Sequence, residues 1–356
     1  MMMPSESQSH SATQNPNGNG NVNKTVNVNG HDPAAAPLLE IADLTIHFRS
    51  SAGMFKRGPD IQAVTQASLT ISAGETLALV GESGSGKTTL VRSILDLVPI
   101  TKGVISFHGA RIDQMNQQSR RAMRQRVQFI FQDPFGSLNP RLTVRDLIAE
   151  PLVVHQLGTS AERAARVDQV MRQVGLSTES ASRYPHQFSG GQRQRIAIAR
   201  ALASSPELII ADEPLSALDV SIQSQILNLL TELKTQLGVS YLLVSHDLNA
   251  VHHLADRVAV MYLGRIVEVA LKDQVFTQPA HPYTAALLQS MPKLGAGKRV
   301  PGQALRGEIP SPLAPPPGCA FHPRCSRATV RCQTEVPVLQ RNLRGQQIAC
   351  HHPLEY

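Results

Sequence analysis

Leu77-Ala78-Leu79-Val80-Gly81-Glu82-Ser83-Gly84-Ser85-Gly86-Lys87-Thr88-Thr89 decides how the rest of the chain is read. Four consecutive apolar residues predict a buried strand, and the run from Thr88 to about Leu97, stopping short of Pro99, predicts a helix. Between them lies Gly-xxxx-Gly-Lys-Thr, the spacing of a phosphate loop, in the strand-to-helix context such a loop needs. Its glycines let the backbone bend until successive amides point inward, and the helix N-terminus adds partial positive charge where phosphates would sit. Lys87 is then placed to contact phosphate and Thr88 to ligate magnesium. A glycine-rich turn of purely structural use has no need of Lys-Thr at this offset.

Two further stretches carry chemistry. Phe188-Ser189-Gly190-Gly191-Gln192 opens a helix from Gln192 to about Ala203 and reads as a second anion site, with a hydroxyl, two glycines and a helix dipole aimed outward. One chain does not need two such sites for one phosphate chain. Leu208-Ile209-Ile210-Ala211-Asp212-Glu213 reads as a buried strand delivering two carboxylates to a sheet edge. Asp212 suits magnesium, directly or through water, and Glu213 suits a general base that polarises an attacking water. Taken alone, the same pair could cap a following helix. His246 follows another apolar strand, Tyr241 to Ser245.

The 356 residues, 42% hydrophobic and 17% charged, suffice for one good core and an appendage. No stretch approaches the roughly 18 to 20 uninterrupted apolar residues that span a bilayer. Residues 1–36 are rich in Ser, Asn and Gly without a signal-type apolar segment, and are expected to be a disordered leader. The net charge of +7 is spread along the chain, and Arg120-Arg121 and Arg193 to Arg200 read as helix surfaces. With 4% aromatics and no Trp there is no evident stacking platform, so no nucleic-acid partner is expected.

The coarse organisation is a β-rich section from about Leu38 to Gly109, beginning with Glu40-Ile41 and Leu44-Thr45-Ile46 as its first strand, and a helical segment over 133–188. In that segment Thr159 and Glu162 form a capping box, Ala164, Val167, Val170, Met171 and Val174 an apolar stripe, and Gly175 a stop. From Gly190 to about Ala270 strands and helices alternate, predicting a parallel α/β core. Beyond it Cys319, Cys325, Cys332 and Cys350 crowd a Pro-rich tail. A reduced compartment disfavours disulfides, leaving tetrahedral zinc, a [4Fe-4S] cluster or unligated buried thiols. The spacing matches neither a zinc ribbon nor a ferredoxin run, and His322, His351 and His352 keep a mixed Cys/His zinc site open.

Ser189-Gly190-Gly191-Gln192 resembles the signature motif of ATP-binding cassette (ABC) proteins, with Phe188 in place of the usual leucine. The resemblance implies an α/β, P-loop ATPase with a mixed sheet core, a helical subdomain and a small Cys-containing C-terminal lobe. It also implies two head-to-tail ATPase subunits, the signature of one capping the γ-phosphate held by the other. Ser216-Ala217-Leu218-Asp219 then matches the D-loop, His246 the switch histidine, and Gln132 the Q-loop glutamine that links the Mg2+ site to the helical subdomain. Phe48 is a candidate adenine platform and equally a core residue, with Phe55 nearby.

From about Leu38 to the end the chain looks like the ATPase subunits of oligopeptide and dipeptide ABC importers, most closely the second, F-type ATPase of dipeptide permeases. Gln132 to Arg141, Arg183-Tyr184-Pro185-His186-Gln187-Phe188, His281-Pro282-Tyr283-Thr284, Gly307 to Pro312 and Pro315 to Cys319 carry that likeness. It implies ATP-driven import of dipeptides or oligopeptides, a cassette over 37–270 and a transporter-specific region over 271–356. The implied partners are two membrane permeases, a second related ATPase and an extracytoplasmic peptide-binding protein, at the cytoplasmic face of the bacterial inner membrane. The tail cysteines are then expected to hold a structural [4Fe-4S] cluster, with Zn as the alternative. Translation-type relatives carry two cassettes and repair-type relatives a long heptad-bearing insertion; this chain has one cassette and a compact insertion. Intact Lys87, Asp212, Glu213 and His246 argue against an inactive scaffold.

Overall fold

The computed structural model describes residues 36–49, 60–290 and 307–356. The leader expected over 1–36 lies, but for Ala36, outside them, as does Phe55. The described chain opens with β1 (Leu39–Phe48) and β2 (Ile61–Ile71), then β3 (Thr76–Val80), α1 (Lys87–Ile94), β4 (Lys102–Phe107) and β5 (Ala110–Arg111). The order β2-β1-β4-β5 makes an antiparallel sheet. Its first strand is one element, because the break at Ala42-Asp43 is a bulge, with Asp43 at φ 48. Helix α1 stops at Ile94, short of Leu97, where Asp96 turns into the left-handed region at φ 58.

Helix α2 (Gln117–Arg126) and β6 (Val127–Ile130) lead into the helical segment, formed by α3 (Pro134–Ser137), α4 (Val144–Val154) and α5 (Ser160–Gln173), with α6 (Gly190–Ala203) packed against all three. The Thr159–Glu162 capping box is present, Val167, Val170, Met171 and Val174 are fully buried, and Gly175 ends the helix at φ 70. Then β7 (Leu208–Asp212), α7 (Val220–Leu237), β8 (Ser240–Ser245), α8 (Leu248–Leu254), β9 (Arg257–Tyr262) and β10 (Arg265–Leu271) follow, with α9 (Lys272–Thr277) and α10 (Pro282–Gln289). The tail adds α11 (Val330–Thr334), β11 (Gln340–Arg341) and β12 (Gln347–Ile348).

The main sheet runs β11-β12-β10-β9-β3-β8-β7-β6. From β6 to β9 it is parallel, and β3, β7 and β8 are buried at every residue, as strands covered on both faces are. The parallel expectation gives way at Leu263-Gly264 (φ 43 and 78), a two-residue hairpin turn that sends β10 back antiparallel to β9. The sheet then continues into the tail: β12 pairs with β10, and the Ala349 amide donates to Val267 O at 2.9 Å. Among the described residues no helix is long and apolar enough to cross a membrane.

Candidate functional site

The phosphate loop leaves β3 at Val80 and enters α1 at Lys87, and two of its glycines are irreplaceable on steric grounds. A Cβ on Gly81 (φ 155) would lie 2.1 Å from Met261 O, and one on Gly86 (φ 103) 2.2 Å from Ala63 O. Gly84 (φ 77) needs the left-handed conformation alone, in open space beside the exposed Ser83. Gly86 caps α1 without a side chain, so the first amides of the helix, around Lys87, Thr88 and Thr89, stay open to an anion. The loop is closed on itself by Lys87, whose Nζ donates to Gly81 O (2.8 Å) and Glu82 O (2.9 Å) and lies 3.4 Å from the buried Ser85 hydroxyl. Burial holds the Lys87 ammonium below its ordinary pKa, against the raising pull of Glu213, Asp212 and Glu82.

Strand β7 brings two acids to this lysine, and β8 beside it leads to His246. Thr88 Oγ1 donates to Asp212 Oδ1 at 3.3 Å. Burial pushes the Asp212 carboxyl above the usual range, the Thr88 hydrogen bond opposes this, and the neighbouring Glu213 adds to it. Such a carboxylate gains by taking a divalent cation, and Thr88 Oγ1 beside it supplies a second oxygen ligand. Glu213 sits in a left-handed turn (φ 48) just past β7, its amide held by Val244 O at 2.9 Å. Its carboxylate accepts from Gln132 Nε2 at 2.9 Å and lies 3.1 Å from His246 Nδ1. Residues from four separate stretches thus meet at one place. A cation and a helix N-terminus face phosphate, one acid and a hydroxyl suit Mg2+, and a second acid is oriented by an amide and an imidazole.

The second glycine motif stands apart from this cluster in its bonding. Ser189 caps α6 two residues earlier than expected, in a capping box in which its hydroxyl accepts from the Gln192 amide and Gln192 Oε1 accepts from the Ser189 amide. Gly191 is required because a Cβ there would meet Ile222 Cγ2 at 2.5 Å, and Gly190 lies against Leu218. The signature helix therefore packs on its own chain's 216–222 turn. Asp219 sits at the N-cap of α7 without a side-chain capping bond and is exposed. Phe48 ends β1 with 37% of its surface exposed, opposite Ile61.

Three residues that local spacing could not single out as site residues surround Glu82. The Glu82 amide donates to Tyr283 Oη at 3.0 Å, and its carboxylate is held by Arg324, which also approaches Tyr262. Tyr283 and Arg324 are 201 and 242 residues away in sequence, so nothing near the phosphate loop signals them, although Tyr283 lies in the His281-Pro282-Tyr283-Thr284 stretch.

In the tail the four cysteines are free and line one small cavity. Burial raises the thiols of Cys319, Cys325 and Cys350, the last to about 11, and the neighbouring cysteines add to the rise. Gly318 (φ 66) lets residues 318–319 lie on Cys332 O, where a Cβ would come within 2.5 Å. Among the described residues no group of three or more His, Cys, Asp or Glu side chains is arranged to hold a metal ion.

Comparison with known proteins places this geometry in a family. The ABC transporter family matches residues 64–216, and the C-terminal region of oligopeptide/dipeptide transporters matches residues 267–332. A di/tripeptide transport ATP-binding protein, DppF, of Pseudomonas aeruginosa (strain UCBPP-PA14) is 47% identical over 319 residues, covering 90% of this chain and 98% of the relative. An oligopeptide transport ATP-binding protein, AppF, of Bacillus subtilis (strain 168) is 47% identical over 319 residues, covering 88% and 97%. Among solved structures, the ATP-binding cassette MJ0796 in a dimeric post-hydrolysis state bound to ADP and Pi superposes with a TM-score of 0.58 at 29% identity, covering 66% of this chain and 98% of that one. The chain belongs to the family of ABC-transporter ATP-binding proteins of oligopeptide and dipeptide transport.

Proposed function

We propose that this chain is the ATP-hydrolysing subunit of a dipeptide or oligopeptide importer, with the catalytic work divided among the residues assembled at the phosphate loop. The observation that carries the reading is the convergence of Lys87, Thr88, Asp212, Glu213, Gln132 and His246 at one end of the parallel strands. Lys87, with the open amides at the start of α1 around Lys87 to Thr89, binds the phosphates; Thr88, Asp212 and Gln132 would hold Mg2+. Magnesium held by these residues would supply charge neutralisation and orientation of the transferring phosphoryl group. Glu213 takes the proton of the attacking water, His246 and Gln132 keep its carboxylate aimed, and Phe48 stacks on adenine. Ser189 to Gln192 and Asp219 face outward from their own protomer and cap the nucleotide of a second, related ATPase in a head-to-tail pair.

That pair works beneath two permeases at the cytoplasmic face of the bacterial inner membrane, supplied by an extracytoplasmic peptide-binding protein. The segment 133–188 of the cassette (37–270) receives a permease helix. Supporting this, Phe135 is 55% exposed and its ring lies under the Arg193 guanidinium at 4.0 Å, in line with a rigid apolar landing point. The region 271–356 carries the cysteine lobe, for which a structural [4Fe-4S] cluster on Cys319, Cys325, Cys332 and Cys350 is the reading, with Zn the alternative. The shared cavity supports a common centre. His322, His351 and His352 line the same cavity, each bonded through one ring nitrogen, to Cys319 O, Glu335 O and Thr329 Oγ1 respectively, so a mixed Cys/His zinc site stays open as a form of that alternative.

The test is transport. Membrane vesicles holding the chain with its genomic neighbour permeases, second ATPase and binding protein should take up labelled dipeptide only with MgATP, and Lys87→Ala should abolish uptake. ATP hydrolysis without uptake of any di- to pentapeptide would refute the peptide assignment.

A further inference from the structure

We propose that Arg324 is a positioning residue for the phosphate loop: it holds Glu82 so that the nucleotide affinity of the cassette depends on the cysteine-bearing lobe. The inference rests on reading Gly81–Thr88 as the ATP site. Arg324 lies on a short helical turn, His322–Arg324, between Cys319 and Cys325. Its two terminal nitrogens donate to the two Glu82 oxygens at 2.7 and 3.1 Å, a bidentate pair. The guanidinium side chain is only 4% exposed, and its carbon lies 5.8 Å from the centre of the Tyr262 ring. Charge-assisted, fork-like pairs withdrawn from water are the ones whose disruption is strongly felt.

Glu82 is the second residue of the phosphate loop, and every polar group it carries is committed. Its amide goes to Tyr283 Oη, its carbonyl to Lys87 Nζ, and its carboxylate to Arg324. Tyr283 is itself fixed among Tyr262 and Phe321, with ring centres 4.6 and 5.3 Å away, and Phe321 belongs to the lobe. The loop's entry is therefore held from outside by the lobe and from inside by the lysine that must turn to phosphate. Releasing the outer hold lets the loop's entry at Gly81–Ser83 spread over conformations that misplace the phosphate-facing Lys87 and the open amides at the start of α1, and binding must then reorder them. A purely stapling role for the pair would lower stability and leave affinity unmoved.

The experiment uses the full chain as wild type, Arg324→Ala, Arg324→Lys, Glu82→Gln and the Arg324→Ala/Glu82→Gln double variant. MgATP affinity is measured by calorimetric titration, and thermal unfolding is followed on the same samples. Arg324→Ala should weaken MgATP about tenfold, equivalent to about 1.4 kcal/mol. Arg324→Lys should recover only part of this, since an ammonium cannot make the fork. The double variant should bind no more than about twofold more weakly than Arg324→Ala, because the two side chains act as one unit. Affinity within about twofold of wild type in Arg324→Ala or in Glu82→Gln, or losses that multiply in the double variant, would overturn the proposal. Should Arg324→Ala fail to fold, Glu82→Gln and Arg324→Lys decide by the same criterion. A folded wild type that binds no MgATP defeats the ATPase reading itself, whereas normal wild-type binding with indifferent variants defeats only the clasp.

Discussion

Replacing Glu213 by Gln isolates the proton-accepting role from everything else this side chain does. The carboxylate accepts from Gln132 Nε2 at 2.9 Å and meets His246 Nδ1 at 3.1 Å. A glutamine is isosteric, its oxygen can keep the Gln132 contact, and its amide can donate to His246, so the turn at φ 48 and the Val244 bond have no cause to shift. Electrostatically the change favours the metal site, because Glu213 is one of the groups that raise the Asp212 carboxyl. Removing its charge lets Asp212 ionise more readily beside Thr88. Ground-state binding of MgATP should therefore survive. What is lost is the base, with turnover falling by roughly 10² to 10⁴, about 3 to 5 kcal/mol of barrier. Steady-state phosphate release, read beside MgATP affinity, tests this, and an ATP-held dimer should accumulate on a sizing column. Hydrolysis within a few-fold of wild type by a folded Glu213→Gln variant would refute the assignment.

A photo-crosslinking residue at Phe135, or cysteine pairs over Phe135 to Leu142, should join the cassette to a short cytoplasmic permease helix in the assembled transporter. An active complex without such crosslinks would place the coupling face elsewhere. His281 gives a pH prediction: it is 1% exposed, and burial lowers its imidazole to about 3. Between that value and the unfolded value near 6.5 the unfolded chain binds the extra proton, so stability declines as pH falls through this window, on the order of 4 kcal/mol by its lower end. His281→Asn keeps an N-cap acceptor for the Tyr283 amide but cannot titrate, so its urea midpoint should fall less steeply than wild type between pH 6.5 and 4. Parallel curves would show that His281 is not the cause; the buried Glu268, whose carboxyl burial raises, is present in both proteins and largely cancels.

What could be read from the chain and what could not follows the range of the interactions. The phosphate loop, the Thr159–Glu162 cap and the apolar stripe of α5 are governed by neighbours within a few turns, so spacing alone anticipates them. The glycine motif at Ser189 was legible as a helix start, and its capping box is the local half of that reading. The hold on Glu82 could not be read from Gly-xxxx-Gly-Lys-Thr, because its partners arrive from β9, α10 and the cysteine lobe, which only the folded sheet brings alongside. The antiparallel return of β10 was hidden for a related reason: Leu263-Gly264 is two residues long and carries no Asn-Gly or Asp-Gly flag.

The tail shows a local argument meeting a tertiary one. A Pro-rich segment of some forty residues buries too little to fold alone, which calls for a metal staple. In the structure the segment borrows the cassette's core instead of building its own: Ala320 and Phe321 join the main apolar cluster, Ile348 pairs with Glu268, and Ala349 bonds to Val267. Between these two anchors the stretch 322–346 is tied to the cassette at Arg324, Arg344 and Gln346, and its middle, around 325–338, has the cysteine cavity and the bond of the Cys319 amide to Cys332 O at 2.8 Å. Ligation should matter for the stretch between the anchors and little for the anchors themselves. Anaerobically purified protein should be brown, with about four irons per chain. Cys332→Ser should open 322–346 to limited proteolysis while the β10–β12 pairing stays protected from hydrogen exchange. One zinc in a colourless protein would decide for the alternative centre, metal-free protein would refute a metal centre and leave four unligated thiols, and cleavage spreading into β10 would show that the staple holds the sheet edge as well.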